Sequence, residues 1–132
     1  MYEMLKNILG PSARDPRKLL AHVWIIRDED TEVAAKLEHP WVMIGTKHPA
    51  DLIYQACLVS TKKRSDELSC YLRPGIIGEG RWGLAAYVKI AVMHLLPETV
   101  IDKGDHKCDL PDELKQEILF NLSRLRDRRY RK

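Results

Sequence analysis

The sequence predicts a small, mainly β domain, either a barrel or a sandwich, with one helix packed against it. Short segments rich in β-favouring residues alternate with turn residues throughout the chain. The longest nearly apolar run, residues 83–97, has the composition and turn-like flanks of a central strand, although a buried helix would also be nearly apolar. The third observation is helical periodicity at about 111–127, near the end of the chain.

Length and composition agree with this class. The chain has 132 residues, 45% of them hydrophobic and 31% charged, which suits a single domain spanning 1–132 with its own core. No apolar run has the roughly 18 residues of a membrane span, and the first ten residues carry both acid and base, unlike a signal peptide. We therefore expect a cytoplasmic protein with no membrane association.

The elements follow in order along the chain. An N-terminal extension, residues 1–19, begins with a short amphipathic helix at 2–9 that Gly10 and Pro11 end. A polar segment fills 102–109, before the terminal helix. Strands are predicted wherever an apolar, β-leaning segment ends in turn residues: 20–27, 40–46, 52–61, 68–73, 83–97 and a short one at 99–101.

The terminal helix has the clearest pattern. Pro111, Asp112 and Glu113 are typical of a first helical turn, because proline has no N–H to lose there and acids favour the positive end of the dipole. One apolar stripe follows with helical spacing: Leu114, Ile118, Leu119, Leu122 and Leu125.

Charge and cysteine usage limit the function. The net charge is +3, but six Lys or Arg occupy the last nine residues, and Lys62, Lys63 and Arg64 form a second cluster. Such clusters attract phosphate backbones, or they are solvated surface. The three cysteines are widely spaced and contain no C-x-x-C, so we predict free, structural thiols and no metal or cofactor.

Four stretches together resemble the MazF/PemK/Kid family of toxin endoribonucleases, over about residues 20–126. They are the strand at 22–26 with its acidic loop, the His39-Pro40-hydrophobic strand, the strand ending in Ser60-Thr61, and the strand at 87–91 with the connection after it. The resemblance implies an SH3-like β-barrel with a C-terminal helix, forming a homodimer whose RNA groove spans the interface. It also implies cleavage of single-stranded RNA without metal, and an antitoxin partner with an extended acidic segment.

The family motifs assign the candidate site residues. His39 takes the place of an arginine, while Lys89 and Ala91 take the places of an arginine and an aspartate. The chemistry needs a general base, a general acid and a cation at the phosphorane, so the resemblance makes Lys89, His39 and Thr61 the catalytic candidates. The RNA-binding candidates are Ser60, Lys62, Lys63, Arg64, Arg81 and Trp82.

Each candidate also has a structural interpretation. Lys89 would lay its stem on the barrel with its ammonium in water, His39 would be a surface histidine, and Trp82 would pin the glycine-rich turn around it. Glu29 and Glu32, in the acidic loop, are the nearest substitutes for the missing aspartate.

Because that carboxylate is missing, a non-catalytic module of the same fold is the alternative. Such a module would bind nucleic acid or inhibit a protein target such as gyrase. An unrelated barrel carrying a helix is the third interpretation of the same pattern.

Overall fold

The computed structural model describes residues 16–31, 37–48, 52–62 and 68–130. Within these residues, six antiparallel strands form one sheet in the order β4-β5-β3-β2-β1-β6. The predicted class is confirmed: the protein is a mainly β half-barrel with a C-terminal helix. Its elements are β1 His22–Arg27, β2 Glu38–His48, β3 Ile53–Ser60, β4 Ser69–Leu72, β5 Ala86–Pro97, α1 Glu98–Asp102, β6 Asp105–Asp109 and α2 Asp112–Tyr130.

Side chains of a strand alternate between the two faces of its sheet. In this sheet both faces carry buried apolar side chains. In β1, Val23 packs into a larger cluster, while Trp24 and Ile26 pack into a smaller one on the other face. Helix α2 covers the larger cluster with Leu114 and Ile118. The run at 83–97 supplies β5, which reaches from one cluster to the other and excludes the buried-helix interpretation.

Helix α2 begins one residue later than the predicted 111 and ends at Tyr130. Four of the five predicted stripe positions face the core. Leu119 does not: its side chain is 45% exposed, because one residue after Ile118 the helix has turned by about 100° away from the sheet. The predicted stripe was too wide at that position.

The predicted strand at 99–101 is wrong, because those residues lie in helix α1. Pro97 ends β5, and the Glu98 N–H donates to the Leu52 carbonyl over 2.9 Å as the helix begins. Ile101 is fully buried in the smaller cluster. Burial of that one side chain against the sheet therefore outweighs the β preference of its neighbours.

The polar segment at 102–109 contains a strand that the sequence pattern did not predict. Strand β6 lies at the sheet edge beside β1 and alternates exposed and half-buried side chains. An edge strand is held by backbone hydrogen bonds on one side, so it needs no apolar run. Such strands are difficult to predict from hydrophobicity.

The described end of the N-terminal extension is attached to helix α1. Lys18 is only 3% exposed, and its ammonium lies 2.5 Å from Asp102 and 3.4 Å from Glu98. The Trp24 indole N–H also donates to the Arg17 carbonyl over 2.7 Å. The helix predicted at 2–9 lies outside the described residues. No described helix is both long and apolar enough to cross a membrane.

All three cysteines are free thiols, and Cys57 and Cys70 are buried in the larger cluster. Burial raises the pKa of Cys57 to about 12, with a further contribution from Cys70. Burial also raises the pKa of Cys70 to about 11, against a lowering by the amide of Asn121. Neither thiol is a nucleophile near neutral pH, which agrees with the predicted structural role.

Candidate functional site

A cleft of about 310 Å³ opens where the start of β2, the end of β3 and the turn before β5 meet. Six predicted site residues line it: His39, Ser60, Thr61, Lys62, Arg81 and Trp82. They come from three separate stretches of sequence, and the fold brings them together. Lys63 and Arg64, the other two RNA-binding candidates, lie outside the described residues.

Strand pairing explains why two of these stretches meet. The antiparallel β2–β3 register places Trp41 beside Leu58. His39 lies two residues before Trp41 and Ser60 two residues after Leu58, so both lie at the same end of the strand pair. Thr61 and Lys62 continue beyond β3 as exposed residues, with the Lys62 N–H donating to the Ser60 hydroxyl over 3.2 Å. The end of β3 therefore supplies hydroxyl groups and an ammonium to the cleft.

The third stretch is a 3-10 turn, Gly80–Trp82. Gly80 has a φ of +64°, which glycine adopts without steric cost, and the Gly75 N–H donates to the Gly83 carbonyl over 2.9 Å, closing the loop. The Arg81 guanidinium carbon lies 4.4 Å from the Trp82 ring centroid, a cation–π contact. A flat aromatic surface with a cation beside it therefore forms one wall of the cleft.

The same arginine contacts the opposite wall. Its Nη1 lies 3.3 Å from Glu38 Oε1, at the start of β2, and both side chains are substantially exposed. An exposed pair of this kind adds little stability, so a phosphate can compete with Glu38 for Arg81. Apolar side chains complete the lining, among them Leu37 and Leu84, each 63% exposed.

His39 is paired with a carboxylate that sequence reasoning missed. Its Nδ1 lies 2.6 Å from Oδ1 of Asp28, which is fully buried. Oδ2 of Asp28 accepts the Leu37 N–H over 3.1 Å. The imidazole itself is 25% exposed, so one side of the ring faces the carboxylate while part of it remains accessible in the cleft.

A signal for Asp28 was present in the sequence. If strands 20–27 and 40–46 pair as an antiparallel hairpin, the residue after the first strand lies beside the residues preceding the second. Asp28 occupies that position: its N–H donates to the Leu37 carbonyl over 2.7 Å. The acidic loop offers Glu29 and Glu32 as the other carboxylates. Glu29 is exposed and pairs with Arg27 at 3.4 Å, and Glu32 lies outside the described residues.

Lys89 is not among the described residues that line the cleft. It is 7% exposed, and its ammonium donates to the backbone carbonyl of Lys62. The interpretation with its ammonium in water is therefore wrong. Lys89 contacts the cleft through the Lys62 backbone. Ala91, in the place of the family's aspartate, is exposed on the same strand.

Two further histidines form a pair away from the cleft. His22 Nδ1 lies 2.9 Å from His106 Nε2, and His22 Nε2 lies 3.7 Å from Asp109. These contacts join β1 to β6, so both histidines have a structural role there. Within the described part of the chain, no group of three or more His, Cys, Asp or Glu side chains has a metal-binding arrangement.

No protein-family model matches the chain, and no curated protein matches it in sequence. Its fold is similar to two crystal structures from Deinococcus radiodurans. MazF (form I) is 14% identical, with 80% of this chain and 93% of that chain covered and a TM-score of 0.56. The MazE–MazF structure (form II) gives 13% identity, 80% and 91% coverage and a TM-score of 0.57. The protein therefore has a MazF-like fold.

Proposed function

From this fold and the residues of the cleft, we propose that the protein is a toxin-like endoribonuclease that cleaves single-stranded RNA without a metal. One observation carries the proposal. Three distant stretches bring an imidazole, hydroxyl groups, two cations and a half-buried aromatic ring into one cleft. These groups suit a ribonucleotide, whose parts are a flat base, a 2′-hydroxyl and a phosphate.

Each group has a role in this proposal. The Trp82 ring stacks a base, as aromatic side chains do in single-strand binding, with Arg81 beside it. Lys62 and the hydroxyls of Ser60 and Thr61 contact the phosphate, and Thr61 also steadies the charge that develops on it. His39 transfers a proton, because an imidazole nitrogen can accept a proton and later release it. Lys89 supports the phosphate side by holding the Lys62 backbone.

The MazE–MazF structure supports a proposal about partners. It records a similar fold crystallised together with MazE. We propose that an antitoxin with an extended acidic segment neutralises this protein by occupying the same cleft, where its carboxylates would compete for Lys62 and Arg81. A homodimer that extends the groove across two copies belongs to the same proposal.

Cleavage is tested with purified protein and a mixed-sequence RNA in EDTA. The wild type should generate new 5′-hydroxyl ends, and His39→Gln should generate far fewer. His94→Gln is the matched control, because His94 packs against Trp41 at 5.0 Å between ring centroids and does not line the cleft. Absence of new 5′-hydroxyl ends at every wild-type concentration would exclude the nuclease.

The second candidate is a module of the same fold that binds nucleic acid without cutting it. The observation favouring it is the replacement of the family's arginine and aspartate by Lys89 and Ala91, with the Lys89 ammonium directed to the Lys62 carbonyl. In that case the cleft would bind single-stranded RNA while leaving it intact. The proposed cleavage assay, combined with a binding assay on the same RNA, separates the two functions.

A further inference from the structure

We propose that Asp28 is the positioning residue of the site: it holds the His39 ring so that Nδ1 carries the proton and Nε2 accepts one from the substrate. The inference rests on the proposed nuclease function and deepens it. It assigns a carboxylate to a site in which Ala91 stands where the resemblance implies an aspartate.

The contacts of Asp28 fix its carboxylate in place. Oδ1 lies 2.6 Å from His39 Nδ1, and Oδ2 accepts the Leu37 N–H over 3.1 Å. The Asp28 N–H donates back to the Leu37 carbonyl over 2.7 Å, so the residue is held by its backbone and by both oxygens. The hydrogen bonds therefore hold the carboxylate rigidly against one edge of the imidazole.

Burial of this carboxylate requires compensation. Asp28 is fully buried, and an ionised carboxylate without partners costs several kcal/mol in such a place. Among the described ion pairs its partner is His39. A hydrogen bond from Nδ1–H is therefore strongly favoured, since the alternative tautomer would direct a nitrogen lone pair at the carboxylate.

Fixing Nδ1–H leaves the lone pair on Nε2, across the ring. The side chain is one-quarter exposed and lines the cleft, while the Nδ1 edge faces the buried Asp28. The accessible part of the ring is thus the part that bears Nε2. A carboxylate behind a histidine also stabilises the imidazolium that forms when Nε2 takes a proton.

The step balances as a transesterification. Nε2 of His39 takes the proton of the ribose 2′-hydroxyl, and the 2′-oxygen forms a bond to the adjacent phosphorus. The bond from phosphorus to the 5′-oxygen breaks, and that oxygen takes a proton from water. The products are a 2′,3′-cyclic phosphate and a 5′-hydroxyl end, and His39 returns its proton to solvent. Nothing is oxidised or reduced.

The test is Asp28→Asn, which keeps the shape and an oxygen for the Leu37 N–H. Its amide would donate to Nδ1 and so favour the tautomer with the proton on Nε2. We expect cleavage to fall about 10²- to 10⁴-fold, as when a histidine base is placed in the wrong tautomer. Binding of a DNA analogue that lacks the 2′-hydroxyl should stay within about twofold, because the phosphate and base contacts are unchanged.

The matched control is Glu29→Gln. Glu29 lies next to Asp28 in sequence and carries the same charge, but it is 68% exposed and pairs with Arg27. Its loss should leave cleavage within about twofold of the wild type, as expected of an exposed residue without contact to His39. Equal losses in the two variants would show that charge alone matters and would overturn the positioning role.

A spectroscopic measurement decides the tautomer without requiring activity. The ¹⁵N chemical shifts of the neutral His39 ring in the wild type should place the proton on Nδ1, and Asp28→Asn should move it to Nε2. A wild-type proton on Nε2, or cleavage by Asp28→Asn at close to the wild-type rate, overturns the proposal. If wild-type protein cleaves no RNA, the nuclease and the acceptor role both fail, and the ring shifts still decide whether Asp28 orients His39.

Discussion

Replacement of Trp82 by alanine tests the RNA-binding side of the cleft. The variant removes the aromatic wall and leaves Arg81, whose guanidinium lies 4.4 Å from the ring centroid, without its cation–π partner. Stacking of one base on an aromatic side chain contributes about 1–3 kcal/mol. Since 1.4 kcal/mol corresponds to tenfold in affinity, the Kd for single-stranded RNA should rise about 5- to 150-fold. Trp82→Phe keeps a π face and should retain most of the affinity.

The assay is fluorescence anisotropy of a short labelled RNA. Phe120→Ala is the matched control, because Phe120 is 63% exposed on helix α2 and also has an arginine, Arg124, over its ring at 5.9 Å. Its Kd should match that of the wild type. Bound RNA should also quench tryptophan fluorescence through Trp82, since Trp24 and Trp41 are buried.

Folding must be checked in the same experiment. Trp82 is half-buried against the larger cluster, so its removal also lowers stability, and binding is compared well below each melting temperature. A Trp82→Ala Kd within about twofold of the wild type would refute base stacking at this wall, because the smallest stacking contribution exceeds that change. An equal loss of RNA affinity in Phe120→Ala would show that binding does not depend on the aromatic ring of the cleft in particular.

Three further results follow from the structure. Lys62→Ala should make the dependence of log K on log salt concentration shallower by about 0.7, the value for one phosphate contact on a single strand. Lys103 pairs with Asp30 outside the cleft, so Lys103→Ala should leave the slope unchanged. Equal slopes for Lys62→Ala and the wild type would show that Lys62 does not contact the phosphate. Ile118→Ala, fully buried, should lower the free energy of unfolding in urea by about 2–5 kcal/mol, whereas Leu119→Ala, 45% exposed, should lower it by less than about 1 kcal/mol; similar losses would contradict the helix orientation. Burial raises the pKa of Cys57 from 9.0 to about 12, so the native state keeps a proton that the unfolded chain releases. Cys57 should therefore lower the free energy of unfolding as pH rises above about 9, by up to about 1.4 kcal/mol per pH unit, and Cys57→Ala should remove that part of the slope.

Much of the candidate site was predictable because its parts carry local signals. Ser60 and Thr61 end a β-leaning run, and Arg81 and Trp82 lie in a glycine-rich turn. Composition and motif order identified these residues separately. Their meeting in one cleft was not visible in any single stretch, since strand register and the loop between Gly75 and Gly83 bring them together.

The sequence by itself determined the class of fold, because alternation and helical periodicity record which side chains must leave water. It also determined the central strand and the terminal helix. Tertiary structure decided the rest. The β-leaning segment at 99–101 lies in helix α1, where Ile101 is buried in the smaller cluster. Strand β6 lies at the sheet edge, where backbone hydrogen bonds to one neighbour hold a strand without an apolar run.

The same division applies to the charged groups. Lys89 directs its ammonium to the Lys62 carbonyl, and Asp28 is buried against His39. These partners lie 27 and 11 residues apart in the chain. A charge removed from water is stable only with a partner, and the folded chain determines which partner is within reach. The sequence pattern indicates how strongly a residue prefers burial, and the tertiary structure determines which groups that residue contacts once it is buried.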